Sequence, residues 1–197
     1  MVTQRFNSNK DYRGDAETNR NYAFLGFIDL LTALSDELDK TDYTMIEIGS
    51  YMGESTMMFA STGLFSTIYS IDPLSGYEEF NEMHNYSWDF VKDEFNKNTK
   101  YFDNIVQLQD FSYNVVDKFE DNSIDFIYID GNHSEESVRQ DLELYLPKLK
   151  KNGIIAGHDY NDYSWPGLVN AVLGVIGKPD RIFLDTSWIK FYNNDEV

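Results

Sequence analysis

Thr44-Met45-Ile46-Glu47-Ile48-Gly49-Ser50-Tyr51-Met52-Gly53-Glu54-Ser55-Thr56 reads as a buried strand, a glycine turn and the opening of a helix. Met45, Ile46 and Ile48 are apolar and partly β-branched, which suits a strand covered on both faces. Gly49 and Gly53 bracket a point where the backbone must bend sharply or approach a ligand closely. Ser55 and Thr56 stand where the helix begins. Strand, glycine loop and helix in that order form the first unit of a nucleotide-type α/β fold.

Outward from this stretch the pattern repeats. Upstream, Phe24, Leu25, Ile28, Leu31, Leu34 and Leu38 keep helical spacing and predict an amphipathic helix over 21–39. Downstream, a helix over 55–61 leads to a second strand at 66–71, which Asp72-Pro73 closes. A helix is predicted over 77–98, with Phe80, Met83, Trp88, Val91 and Phe95 inward. His84 falls within it and reads as a surface residue. A third strand at 105–108 ends near Asp110, and a short helix over 112–119 turns Val115, Val116 and Phe119 inward.

The fourth strand, 124–129, ends at Asp130-Gly131. Ser134 is placed to cap the next helix, with Glu135 and Glu136 at its positive end. Val138, Leu142, Tyr145 and Leu149 form that helix's apolar stripe, and Asn152-Gly153 stops it. A fifth strand at 153–157 ends at His158-Asp159, and a helix runs from Pro166 to about 176. Residues 181–184 and 188–192 close the chain as an antiparallel pair. The whole predicts a Rossmann-like, doubly wound α/β sheet of seven strands, mostly parallel with an antiparallel C-terminal strand. Residues 1–20 are polar and read as a flexible arm, leaving one domain over 21–197.

Composition narrows the function. Lys+Arg 16 against Asp+Glu 34 gives a net charge of −18, which repels phosphate backbones and anionic lipid, so no nucleic-acid partner is expected. The chain has no cysteine, which excludes disulfides, thiolate catalysis and cysteine zinc sites. No apolar run is long enough to span a membrane, and the N-terminus has no signal-peptide core, so a cytoplasmic protein is expected. The richness in Asn, Lys, Ile and Tyr suits an AT-rich viral or bacterial genome.

Every strand end carries an acid: Glu47, Asp72, Asp110, Asp130 and Asp159. Two of the three histidines, His133 and His158, lie at the same edge, where ligands sit in such sheets. The Gly49/Gly53 spacing is not the dinucleotide fingerprint, which disfavours a nicotinamide-dependent oxidoreductase. Glu54 stands where a Walker loop has lysine, so phosphate is a poor guest. Glu47 argues for a cationic ligand without phosphate, Asp72 for the two hydroxyls of a ribose, and Asp110 for an adenine amino group. A ligand with an ammonium, a ribose and an adenine is S-adenosylmethionine. Glu47, Gly49, Ser50, Tyr51, Gly53, Ser55, Asp72, Asp110 and Asp130 are the expected contacts.

Glu47 to Gly53 resembles motif I of class I S-adenosylmethionine-dependent methyltransferases, and Ser70-Ile71-Asp72 the acidic strand end after it. Phe126 to Ser134, Asp141-Leu142, Leu146 to Leu149 and Gly153 to Tyr160 are similar to the small-molecule O-methyltransferases of macrocin and mycinamicin type, and more distantly to catechol O-methyltransferase. The resemblance spans roughly residues 44 to 160. It implies O-methylation of a small hydroxylated acceptor, sugar-like or catechol-like, with Asp130, His133 or His158 as base. It also implies a divalent metal, magnesium or manganese, on Asp130, His158 and Asp159. His158 stands where the family usually has an acid, which turns preference away from magnesium or leaves no metal at all. The same departure admits a catalytically silent, S-adenosylmethionine-binding regulatory protein. Tyr51, Trp88, Tyr160, Tyr163 and Trp165 are available to line an acceptor pocket. The arm and the antiparallel edge are surfaces a homodimer would use.

Overall fold

The computed structural model describes residues 16–75 and 86–192, and the side chains from residue 25 onward within the first helix. The elements in chain order are α1 (Ala16–Glu37), β1 (Tyr43–Ile48), α2 (Glu54–Ser61), β2 (Phe65–Ile71), α3 (Trp88–Thr99), β3 (Ile105–Leu108), α4 (Ser112–Val115), β4 (Ile124–Ile129), α5 (Glu135–Tyr145), β5 (Leu149–Gly157), α6 (Pro166–Val175), β6 (Arg181–Ile182) and β7 (Trp188–Phe191). They build a seven-stranded sheet in the order β3-β2-β1-β4-β5-β7-β6. The first five strands in that order are parallel, and β7 runs antiparallel to both β5 and β6. The predicted fold class is the observed one, with β7 as the reversed strand.

Alternation along the strands fills two cores, because successive side chains leave opposite faces of a sheet. Met45, Phe126, Ile154 and Ala156 face one side, against Leu30 and Leu34 of α1 and Phe59 of α2. Ile46, Ile127, Ile129 and Ile155 face the other, against Val138 and Leu142 of α5 and Ala171 and Val172 of α6. Strand order reverses direction between β1 and β4, so the loops after these two strands part and leave a crevice.

Several boundaries differ from the sequence reading. Helix α1 begins at Ala16. Residues 1–15 of the expected arm, and the inward position of Phe24, lie outside the described residues. So do Tyr77, Phe80, Met83 and His84; the described helix there is Trp88–Thr99, with Ser87 accepting from the Phe90 amide at 3.2 Å. Val91 and Phe95 are buried as predicted, whereas Trp88 is half-buried. Helix α5 stops at Tyr145 rather than reaching Leu149, because Pro147 lacks the amide that would continue it. Leu149 instead opens β5, and the left-handed Asn152 (φ 61°) produces a register shift before Ile154 pairs with Phe126. Ser134 caps α5 as expected, accepting from the Ser137 amide at 3.2 Å.

Candidate functional site

The edge formed by the C-terminal strand ends is built around Gly49. Its φ is +86°, and a Cβ there would lie 2.0 Å from the Asp130 carbonyl oxygen. Glycine at 49 therefore lets the ends of β1 and β4 meet, and the Asp130 amide donates to the Ile48 carbonyl at 2.8 Å. Gly53 is also left-handed (φ +74°) and opens α2. A Cβ at 53 would press on Phe95 of α3 at 2.8 Å.

Asp72 is buried and acts as the anchor of this loop. Its Oδ2 accepts from the amides of Ser50 (3.0 Å) and Tyr51 (2.8 Å), and its Oδ1 from Leu74 (2.8 Å). Burial pushes its carboxyl up, and those three amide bonds pull against the shift. Tyr51 takes φ 44°, a conformation held in place by that bond. Ser50 is itself buried.

Glu47 is fully buried beneath the loop, and the hydroxyls of Ser55 and Thr56 donate to its two carboxylate oxygens. Desolvation pushes it up to about 7, the two hydroxyl bonds opposing. Ser55 thus faces Glu47 in this structure, and Thr56, expected only as a residue of the helix start, completes the pair. The acid ties the end of β1 to the first turn of α2.

A cleft of about 220 Å³ opens between the ends of β1, β2, β3 and β4. Ile48, Gly49, Ile71 and Pro73 form one side; Phe111, Ser112 and Tyr113 form another; Gly131, Asn132, Ser137, Gln140 and Asp141 close it. Phe111 and Tyr113 stack with centroids 5.3 Å apart. Asp110 is not among the lining residues. Its Oδ1 accepts from Asn114 Nδ2 and the Phe111 amide, both at 2.8 Å, and these bonds lower its pKa. The acid that does line the cleft is Asp141, one turn before the end of α5, buried and bonded to Ser112 Oγ. The strand-end rule missed it because a helix carries it; its place in a helix that is otherwise apolar on that face was the available signal.

Beyond β4 and β5 lies a cluster of acids and imidazoles. His133 Nε2 donates to Asp159 Oδ2 at 2.9 Å, and the His133 ring stacks on Trp165 at 4.3 Å. His158 Nδ1 reaches the same Asp159 oxygen at 3.1 Å and Asp130 Oδ1 at 3.9 Å. On its other side, His158 Nε2 stands 3.7 Å from Asp185 Oδ2. Burial alone would lower the His158 pKa, but Asp130, Asp159 and Asp185 raise it well above the ordinary histidine value. Burial works to raise Asp159, yet the bonds from His133 and His158 hold it far below the usual carboxylate range. Asp130 is pushed up to about 6 by burial, with His158 opposing.

His158, expected as a metal ligand with Asp130 and Asp159 and as a candidate base, lies among the carboxylates of Asp130, Asp159 and Asp185, which favour its protonated form. Among the described residues, the ligand atoms of Asp130, His133 and Asp159 lie within 4.8 Å of one another. Asp185 was not foreseen; it comes from the turn before β7, where it accepts from the Ser187 amide at 3.0 Å, and only tertiary folding brings it to His158. Tyr160 and Trp165 pack on the core beside the cluster, and Tyr163 is exposed. No described helix is long and apolar enough to cross a membrane.

Comparison with known proteins adds an independent line. A family model described as a methyltransferase domain matches residues 46–160. The chain is 30% identical over 159 residues to an uncharacterized protein of Acanthamoeba polyphaga mimivirus; the match takes in 75% of this chain and spans 65% of that protein's length. Among solved structures, the calicheamicin methyltransferase CalS11, described as a TDP-rhamnose 3'-O-methyltransferase, is similar at 16% identity and TM-score 0.61, over 87% of this chain and 80% of that one. An rRNA methylase of Streptococcus thermophilus is similar at 15% identity and TM-score 0.55, over 82% of this chain and 92% of that one. At these identities the two structures share the fold.

Proposed function

Because the chain belongs to the methyltransferase-domain family and so is an S-adenosylmethionine-dependent methyltransferase, we propose that it methylates a hydroxyl group of a small acceptor, sugar-like or catechol-like. The observation that carries this reading is the His133–Asp159 pair at 2.9 Å, beside Asp130 and at the end of β4 that also forms the cofactor cleft. The O-methyltransferase among the structurally similar proteins supports the acceptor class.

In the transfer, the acceptor oxygen attacks the methyl carbon in line with the departing sulfur. The new C–O bond forms as the S–C bond breaks. The bonding pair leaves with sulfur, so the sulfonium becomes the neutral thioether of S-adenosylhomocysteine. One proton must leave the acceptor hydroxyl. Asp159 fixes His133 with Nε2–H donating, so in the neutral ring Nδ1 is the basic nitrogen. His133 is the assigned proton acceptor. Asp130, raised to about 6, is the hydrogen-bonding partner for the hydroxyl. His158 keeps the cluster's negative charge compensated and so lets three acids share one small site. Positioning of the two reactants accounts for roughly 7–11 kcal/mol in favourable cases, and a placed base for about 10²–10⁴ in rate.

As the alternative to the base role of His133, two carboxylate oxygens and one imidazole nitrogen, on Asp130, Asp159 and His133, would fit a borderline divalent ion better than magnesium. Such an ion would supply Lewis-acid polarisation of the hydroxyl. The small acceptor, and assembly as a homodimer, belong to this proposal as well.

The test is calorimetric titration with S-adenosylhomocysteine, followed by methyl transfer to panels of glycosides, catechols and amines. Binding is expected, together with turnover on hydroxyl acceptors that His133→Ala lowers by about 10²–10⁴. Turnover confined to amines, or none on hydroxyls with cofactor bound, sinks the acceptor assignment.

A further inference from the structure

We propose that Asp141, a helix residue outside the strand ends, reads the 6-amino group of the cofactor's adenine, with Ser112 holding it in register. This rests on the cofactor reading above and names the residue that sets purine specificity. Asp141 lines the cleft between the ends of β1 and β4, yet its residue surface is 5% exposed. Its Oδ1 accepts from Ser112 Oγ. One turn later on the same helix, Tyr145 OH donates to the Ser112 carbonyl at 2.8 Å. Positions 141 and 145 lie on one face of α5, so the helix grips Ser112 at its side chain and its backbone together.

Oδ1 of Asp141 is taken by Ser112, which leaves Oδ2 as the oxygen for a ligand in the cleft it lines. A Cβ on Gly131 would lie 3.8 Å from Oδ2, and Gly131 lines the same space. Gly131, Asp141 and the stacked Phe111 and Tyr113 all line this one cleft, so a flat group held there has an aromatic surface and a carboxylate in the same space.

A carboxylate accepts hydrogen bonds and donates none when ionised. An exocyclic amine satisfies it, whereas a carbonyl at the same position sets oxygen against oxygen. Burial pushes Asp141 up to about 6 with only the Ser112 bond opposing, so a further donor at the carboxylate would stabilise its charge. Asp110, the strand-end acid, has its Oδ1 occupied by Asn114 and Phe111 and does not line the cleft.

The experiment compares calorimetric binding of S-adenosylhomocysteine and S-inosylhomocysteine, which differ in amine against carbonyl at the purine 6-position. The wild-type chain is expected to prefer the adenosyl compound by about 10- to 100-fold, the order set by a hydrogen bond to a charged group. Asp141→Asn, whose amide can donate to the carbonyl, is expected to narrow that ratio to within about threefold. Ser112→Ala is expected to weaken both ligands while the preference remains. A wild-type chain that binds both compounds equally overturns the assignment, whether or not the variants fold. So does an unchanged ratio in a folded Asp141→Asn. Binding of neither compound overturns the cofactor reading itself, and the assignment with it.

Discussion

His133 Nε2 and Asp159 Oδ2 stand 2.9 Å apart, and Asp159 takes its place with φ 59°. A non-glycine residue in the left-handed region costs of order 1–3 kcal/mol and persists where its surroundings demand it. Here it lets one carboxylate oxygen meet two imidazoles. If this pair orients the base, His133→Ala should lower kcat by about 10²–10⁴ while leaving S-adenosylhomocysteine affinity within about threefold. Asp159→Asn should lower kcat less and shift the acidic limb of the pH–rate profile, since the amide no longer favours an imidazolium. Single-turnover methyl transfer and calorimetry separate the two terms. An equal loss of binding and turnover in His133→Ala is the contrary result.

The sheet and its ligand edge were legible because an apolar run ending in an acid recurs five times, from Glu47 through Asp72, Asp110 and Asp130 to Asp159. The place of Asp141 in the cleft, the bond of Thr56 to Glu47 and the approach of Asp185 to His158 were not. Asp141 and Thr56 sit within helices, where one polar residue on an apolar stripe signals little alone. Asp185 reaches His158 only through the antiparallel return of β7. His158 illustrates a different limit: its residue type allows ligand, base or cation, and the carboxylates of Asp130, Asp159 and Asp185 that surround it come from three chain segments.

Gly49 is expected to tolerate no side chain. A Cβ would sit 2.0 Å from the Asp130 carbonyl oxygen, and φ +86° adds backbone strain. Both objects are backbone at the junction of two central strands, so neither can swing aside. Gly49→Ala should lose at least about 3 kcal/mol in urea unfolding, together with cofactor binding. Stability within about 1 kcal/mol of the wild type would mean that the β1 and β4 ends separate more easily than their hydrogen bond suggests.

Metal preference should follow His133 rather than His158. Manganese is expected to bind more tightly than magnesium, because the set of Asp130, Asp159 and His133 includes one nitrogen. In titrations followed by calorimetry, His133→Ala should remove that preference and His158→Gln should keep it. Tighter magnesium binding, or a preference lost in His158→Gln alone, contradicts this set.

Glu47 gives a pH dependence whose sign is fixed. Its carboxyl moves from 4.5 to about 7 on folding because no water reaches it, so the folded chain holds this proton where the unfolded chain has lost it. The contribution to stability is therefore complete below about pH 4.5 and is lost as pH rises through about 7. About 2.5 units correspond to a penalty of order 3 kcal/mol above pH 8. Glu47→Gln removes the titration and can still bond the Ser55 and Thr56 hydroxyls. It should be more stable than the wild type by about 1–3 kcal/mol at pH 8 and no more stable at pH 4.5, measured by urea unfolding across that range. With both carboxylate oxygens already occupied, S-adenosylhomocysteine affinity at pH 8 should change by less than about threefold. A stability difference that is flat with pH would show Glu47 ionised in the folded chain; a large loss of affinity would show its charge acting on the cofactor.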